Sequence, residues 1–482
     1  TQTQLAREKE KIDRYLSELV ERERIPGLAV AATRNDTVVY TGAFGVKSLL
    51  TKQPMRPFYN FHWASVSKTF VATAILQLVE ERKINLDDSV VTYVPYFKQK
   101  GNLYTDITIR QMLNHTSGIR DVEDYEWEKP QNDDGAPERY VRSLENDEML
   151  FTPGTSWSYS NTAYEILGVL ISNVSGMPFE TYIKENIFEP LEMNTSSFIY
   201  LDIPDTLRVS GHLWAGKAIA SSVYPYNRIH APSSTLNSNV NEMINYAKAH
   251  LHRGVYKDVQ ILSDSSYFLL WTNSVDLKDK PAFGLGWFLN DHRGLKTVSH
   301  GGSDTGFRSF FLLVPEKNIS VMIACNYELF RSSDIAHAVL DLVLGHEPPI
   351  VKKQIGFDFA EIMIKDGLQK AKGFYQSAKA DSARHKYYLW AEDDAAMTYP
   401  GYLFLERKMF DEAIEIFKFN LELNPESPYA YGHLGVGYAR SGNHELAEQN
   451  LLKAIELAPE EQYFKDELDK LKMQNDGNTA SP

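Results

Sequence analysis

Ser65-Val66-Ser67-Lys68, followed by Phe70, Val71, Ala74, Ile75, Leu78 and Val79 at helical spacing, is the stretch from which the rest of the chain can be read. The apolar positions predict a buried helix, and the tetrapeptide opens it after an extended run. Ser65 and Lys68 then lie one turn apart on one face, at a helix N-terminus. A serine hydroxyl is a weak nucleophile, and a lysine serves as its base once burial or a neighbouring charge disfavours the ammonium form. Free backbone N–H groups and the helix dipole at the same place favour a developing oxyanion. Ser-x-x-Lys arises readily by chance, so its meaning depends on context.

Two later clusters supply that context. The run from Phe151 to Asn161 contains Thr152-Pro153-Gly154-Thr155 and then Tyr159 and Asn161, two residues apart, ahead of the amphipathic segment Tyr164 to Ile171. His300-Gly301-Gly302-Ser303 ends a strand on a sheet edge, and its glycines let a substrate lie against the backbone. Around these, Leu28 to Thr33 and Thr37 to Val46 are β-rich runs separated by a hairpin turn at Asn35-Asp36. Strand character returns at Gly284 to Leu289, Thr297 to His300, Phe307 to Val314 and Ile319 to Cys325, the last two joined by Pro315-Glu316-Lys317-Asn318. An opening helix carries Leu5, Ile12, Tyr15, Leu16, Leu19 and Val20 on one face. A closing helix carries Ile335, Val339, Leu342 and Val343, and both can cover the same sheet. The region from about 65 to 280 reads as a helical insertion. The fold class is therefore α/β (α+β): an antiparallel sheet flanked by helices, plus an all-helical lobe, over residues 1–345.

Gly345-His346-Glu347-Pro348-Pro349 breaks the pattern and marks a linker over 346–356. Residues 357–475 read as all-α, with a disordered tail at 476–482. Gly401, Phe404, Ala413, Phe417 and Pro425 recur 34 residues later as Gly435, Tyr438, Ala447, Leu451 and Pro459. This period resembles the tetratricopeptide repeat (TPR), the alternative being a plain helical bundle. Phe357 to Ala380 is expected to supply a degenerate preceding pair, and Tyr463 to Met473 a closing helix with Leu468 and Leu471 inward. Such a short set is expected to dock on the first domain or on a second subunit near the cleft mouth, with a separate partner-binding module as the alternative.

The order Ser-x-x-Lys, Tyr-x-Asn and small-residue triplet resembles the serine β-lactamase and penicillin-binding-protein superfamily. It is most similar to the branch with class C β-lactamases, DD-carboxypeptidases, D-aminopeptidases and esterases. Leu113-Asn114-His115-Thr116-Ser117-Gly118-Ile119, Gly284-Leu285-Gly286-Trp287 and the run from His300 to Phe307 extend the likeness over roughly residues 5–345. The resemblance implies that Ser65 is acylated, that Lys68 helps deprotonate it, and that Tyr159 exchanges protons with Ser65 and the leaving group. It further implies that Asn161 holds the substrate's amide, that the backbone N–H groups of Ser65 and Ser303 form the oxyanion hole, and that His300, Gly301 and Gly302 line the substrate. His300 stands where β-lactamases have a lysine, so a charge gripping a substrate carboxylate is weaker or pH-dependent, and β-lactam hydrolysis is placed in doubt.

Other residues carry plainer readings. Arg308 either binds a substrate carboxylate or makes a structural ion pair. His115 reads as a structural histidine holding a turn, and Ser67 as a cap. His62 and His292 have no partners at ligand spacing, so no metal or cofactor is expected. The acidic run Asp121, Glu123, Asp124, Glu126, Glu128, Asp133, Asp134 and Glu138, with Tyr125 and Trp127 among it, is either a solvated face or a rim attracting ammonium groups.

The 482 residues allow two to four domains, and 43% hydrophobic with 24% charged residues suits a folded chain. A net charge of −14 repels phosphate backbones, which argues against nucleic acid as partner. No run approaches the length of a membrane span. The single Cys325 lies in an apolar run and excludes an internal disulfide. Thr1 in place of Met suggests a removed leader and an exported, periplasmic protein. The expected function is acyl-enzyme hydrolysis on peptides or amides with D-residues. Simple esters and, weakly, β-lactams are the alternatives, and an idle peptide-binding receptor is the alternative of another class. Expected partners are a small-molecule or short-peptide substrate, and a protein partner or second copy through the repeats.

Overall fold

The turn at Asn35-Asp36 has both residues in the left-handed region, with φ of 49° and 63°. That twist matches the right-handed twist of two flanking strands and closes a tight hairpin. In the computed structural model, which describes residues 2–275, 282–390 and 395–478, this hairpin starts a six-stranded antiparallel sheet. Its strands are β1 Gly27–Arg34, β2 Thr37–Gly45, β3 Phe288–His292, β4 Leu295–Asp304, β5 Phe307–Val314 and β6 Ile319–Cys325, in the order β2-β1-β6-β5-β4-β3. The first hairpin thus pairs with the last strand, from Leu28 opposite Cys325 to Arg34 opposite Ile319.

Both faces of the central strands are buried. The helices concerned are α1 Gln2–Glu23, α2 Ser67–Glu80, α3 Asn161–Ser175, α4 Val240–Leu251 and α5 Ser332–Leu344. Ala29, Ala31, Phe311, Leu313, Met322 and Ala324 share one hydrophobic core with α2, α3 and α4. The alternate residues Leu28, Val30, Ala32, Val321 and Ile323 are equally buried on the face where α1 and α5 lie together. Cys325 is buried there with its thiol pKa raised by burial.

Two strand expectations need correction. Gly284–Trp287 is a tight turn in place of a strand: the Gly284 N–H donates to the Trp287 carbonyl at 2.9 Å, and Gly286 sits at φ +80°. A Cβ on Gly286 would meet Ala72 Cβ at 2.8 Å, so this turn presses on the flank of α2. The strand expected at 297–300 runs from 295 to 304, and β3 lies outside it. The ladder with β3 ends at Ser299 opposite Phe288, so His300–Asp304 runs on beyond it.

The chain divides into two compact units, residues 1–213 with 218–348, and residues 214–217 with 349–482. Within the second unit are α6 Ile355–Asp366, α7 Leu368–Ala380, α8 Ala395–Glu406, α9 Phe410–Leu423, α10 Pro428–Arg440, α11 His444–Leu457 and α12 Gln462–Asn478. A Cβ on Gly401 would meet the Phe417 ring at 2.3 Å, and one on Gly435 would meet Leu451 Cγ at 2.9 Å. The same small-on-large contact therefore closes two successive helix pairs, 34 residues apart. Leu468 and Leu471 of α12 pack with Val436, Ala447 and Leu451. Residues 476–478, expected in a disordered tail, belong to α12, and the remainder of that tail lies outside the described residues. Trp214 packs edge-on to Phe357 and tilted over Phe404, at 5.0 and 4.8 Å between ring centres. Among the described residues, no helix is long and apolar enough to cross a membrane, and no group of three His, Cys, Asp or Glu could hold a metal ion.

Candidate active site

Ser65 sits in a 3-10 turn, Ala64–Val66, that leads into α2. Ala64 has φ of +47°, a conformation that costs a non-glycine residue energy and persists only where the surroundings enforce it. The enforcement is visible. The Trp63 indole donates to the Ser238 carbonyl at 2.9 Å, the Trp63 carbonyl accepts from Ser309 Oγ at 2.7 Å, and Ser67 Oγ donates to the Ala64 carbonyl at 2.6 Å. Ser67 Oγ also accepts the Leu236 N–H at 3.0 Å, so it ties the turn to a second segment.

Lys68 is fully buried one turn on. Its Nζ donates to Ser65 Oγ at 3.0 Å, to Asn161 Oδ1 at 2.6 Å and to the Ser233 carbonyl at 2.7 Å. Burial lowers its pKa to about 8, opposed by the charges of Glu165, Asp121 and Asp304. Three acceptors match the three protons of an ammonium. Once one proton leaves, the lone pair is available to the Ser65 hydroxyl.

Tyr159 lies on the other side, with Lys68 Nζ 5.0 Å from its ring centre. Burial raises its pKa far above that of a free phenol, although a hydrogen bond with Ser65 pulls the other way. Tyr159 therefore stands as a phenol at neutral pH. His115 holds it from behind, ring centres 4.2 Å apart, and accepts the Ser160 N–H at Nδ1 over 3.1 Å. That bond puts the ring proton of His115 on Nε2, and burial together with Lys68 and His300 keeps the imidazole neutral.

Asn161 is the first residue of α3, whose N-cap Ser160 accepts the Ala163 N–H. The resemblance gave Asn161 to the substrate's amide. Its own amide bridges Lys68 and Asp121, with Nδ2 donating to Asp121 Oδ1 at 2.9 Å and the Asn161 N–H to the same oxygen at 2.7 Å. Asp121, read with its neighbours as part of either a solvated face or a rim, is exposed, and its carboxylate also holds the helix start. Three of the other seven acids are paired. Asp133 pairs with Arg139, Asp134 with Arg228 and Glu138 with Arg142, arginines that lie outside the run. Tyr125 stacks on Trp127, and both stand edge-on to His230. Burial, with Asp304, Asp121, Glu165 and Tyr159 nearby, raises the Tyr125 pKa, so this phenol reaches inward.

On β4, Gly302 passes the Trp63 carbonyl so closely that a Cβ would lie 2.1 Å from it. This contact sets the strand end bearing Ser303 against the turn bearing Ser65. His300 is buried, donates Nδ1–H to the Gly301 carbonyl at 2.7 Å, and has its pKa lowered to about 3 by burial and by Lys68. It is neutral through the physiological range, in line with a weaker charge, the first of the two alternatives, weaker or pH-dependent, that the sequence allowed. Gly301 faces the Phe310 ring. Arg308 Nη1 donates to the carbonyls of Asp304 and Phe307 at 2.8 and 2.7 Å, closing the β4–β5 turn.

Sequence reasoning missed four groups. Asp304 accepts from His62 Nε2 at 2.7 Å and from Ser234 Oγ, tying β4 to the strand before Ser65. Glu165 and Ser233 lie behind Lys68. Only Glu165 had a signal, an acid four residues after Asn161 on an otherwise apolar helix.

A family model described as Beta-lactamase matches residues 12–344. Protein flp of Staphylococcus aureus (strain N315) is 28% identical over 319 residues, 66% of this chain and 63% of the relative's length. The chain thus spans less than two thirds of that relative. Penicillin-binding protein 4* of Bacillus subtilis (strain 168) is 34% identical over 179 residues, 36% of this chain and 38% of the relative. The octameric penicillin-binding protein homologue from Pyrococcus abyssi superposes with a TM-score of 0.63 at 28% identity, covering 70% of this chain and 78% of its own. A D-stereospecific amidohydrolase from Streptomyces sp. shares the fold at a TM-score of 0.55 and 24% identity, over 65% of this chain and 93% of its own.

Proposed function

The chain belongs to the Beta-lactamase family, and from that membership we propose that it hydrolyses peptides or amides with D-residues through an acyl-enzyme on Ser65. The observation that carries the reading is Lys68, buried, 3.0 Å from the Ser65 hydroxyl and with its pKa lowered to about 8. Neutral Lys68 takes the Ser65 proton as Oγ bonds to the substrate's carbonyl carbon, and the oxyanion meets the N–H groups of Ser65 and Ser303. Tyr159, still a phenol, gives its proton to the leaving nitrogen as the C–N bond breaks, and Lys68 returns a proton to Tyr159. Water then attacks the ester, passing one proton through Lys68 back to Ser65 Oγ and releasing the acid.

The charge around Lys68 supports the substrate side of this reading. Asp121, Glu165 and Asp304 act on it, and neutral His300 offers a substrate carboxylate no cation. Uncharged or amine-bearing acyl groups suit such a cleft better than penicillins do. The α8–α11 helices we read as two TPR-like pairs, supported by the repeated Gly401–Phe417 and Gly435–Leu451 contacts; a peptide partner is the role such pairs suit.

The test is intact mass after a fluorophosphonate, then hydrolysis of D-amino-acid amides, dipeptides, short acyl esters and a penicillin. Ser65→Ala removes labelling and hydrolysis while the fold persists, since one hydroxyl leaves little cavity. A variant labelled like the parent overturns the nucleophile, and a preference for esters or penicillin over amides overturns the substrate.

A further inference from the structure

We infer that Glu165 is a positioning residue for Lys68: through Ser233 it fixes the carbonyl that receives the lysine, and its charge balances the ammonium. The inference rests on Lys68 being the base for Ser65.

Glu165 follows Asn161 by one helical turn, so both face the same side of α3. The helix around it is apolar, with Ala163, Tyr164, Ile166, Leu167 and Leu170 buried. A carboxylate 2% exposed in such company is costly unless its oxygens are occupied. They are. Oε1 accepts Ser233 Oγ at 2.5 Å and His230 Nδ1–H at 3.1 Å, and Oε2 accepts the Ser233 N–H at 3.3 Å. Ser233 is thereby held at its hydroxyl and its N–H, while its carbonyl accepts Lys68 Nζ at 2.7 Å. The neighbouring Pro232 rests on Gly168 of the same helix, where a Cβ would lie 2.1 Å from the proline ring. One helix therefore controls two of the lysine's three acceptors, Asn161 directly and Ser233 through Glu165.

Glu165 stands behind an acceptor of the ammonium bonded to Ser65, and its charge raises the affinity of Lys68 for its proton. The groups facing Lys68 are Glu165, Asp121 and Asp304, the phenols Tyr159 and Tyr164, and the neutral imidazoles of His115 and His300. Those facing Glu165 are His230, Lys68 and the phenols Tyr125, Tyr140 and Tyr159.

The experiment uses full-length Glu165→Gln and Glu165→Ala with Ser65→Ala as reference. It records kcat/KM against pH for an uncharged acyl ester, and the fluorophosphonate labelling rate. Glutamine keeps an oxygen for Ser233 and drops the charge, so the rising limb of both profiles moves to lower pH by about one unit. Alanine also drops the charge, so its limb moves likewise, and by releasing Ser233 it lowers the high-pH plateau of acylation about 100-fold. A Glu165→Gln limb that superimposes on the parent's overturns the proposal, and this comparison decides even where the alanine variant fails to fold. Hydrolysis surviving in Ser65→Ala overturns the nucleophile reading itself and the proposal with it, so the two failures are told apart.

Discussion

Lys68 must lose a proton before it can accept one from Ser65. Burial favours its neutral form, so the reactive fraction grows with pH and saturates above the lowered value of about 8. The labelling rate of Ser65 should rise about tenfold per unit between pH 6 and 7 and level off above about 8. His300, at about 3, and Tyr159, far above neutrality, do not titrate in this window. A rate constant from pH 6 to 9 contradicts the assignment. Asp121 yields a second expectation. Asparagine there still accepts the Asn161 N–H, but the amide of Asn161 loses its charged partner. Asp121→Asn should lower kcat about tenfold for a neutral ester and an amine-bearing amide alike. Loss confined to the amine-bearing substrate decides for the rim reading. Ser65 and Lys68 were legible from helix spacing, and Tyr159 and Asn161 from the order of motifs that the resemblance supplies. The partner of Asn161 was not, since nothing local says which of eight acids meets a residue forty positions later. Ser233 contributes a carbonyl, which every residue has, and so leaves no mark in the sequence.

At the scale of elements, β4 decides whether a serine and a strand become one site. Gly302 has backbone on one side and Ser309 Oγ on the other, the latter 2.3 Å from where a Cβ would lie. Gly301, one residue earlier, faces only the edge of the Phe310 ring, at 3.3 Å. Gly302→Ala should therefore lower kcat/KM about 100-fold by pushing the strand end from Ser65. Gly301→Ala should stay within about threefold. Equal effects at the two positions would show that the approach of β4 to Trp63 is not what sets the geometry. Alternating and continuous apolar runs made β1, β2, β5 and β6 readable. Gly284-Leu285-Gly286-Trp287 reads as a strand from its apolar residues alone. What bends it is the close pass of Gly286 over Ala72, a tertiary contact invisible to periodicity.

For the whole molecule, the second unit takes in Trp214–Lys217 from the middle of the chain as well as its C-terminal helices. The helical tail was legible from its 34-residue recurrence, whereas nothing in Trp214-Ala215-Gly216-Lys217 announces membership in a unit whose main part starts more than a hundred residues later. Ending the chain at Pro348 removes Phe357 and Phe404 from the Trp214 ring, which is 2% exposed. The shortened chain should be less soluble, and Trp214→Ser in it should recover part of the loss. A truncated chain as soluble as the full one contradicts this. The register of β1 against β6 carries a different consequence, one of time. Leu28 waits for Cys325. Ribosomes add about 5–20 residues per second, so roughly 15–60 s pass between the synthesis of the two strands. Throughout that interval the first hairpin presents an open edge, and Ser65 lacks the strand that would complete its surroundings. On the acyl-enzyme reading a nascent chain takes up no probe until its sheet closes, and the onset of labelling is a clock for that closure.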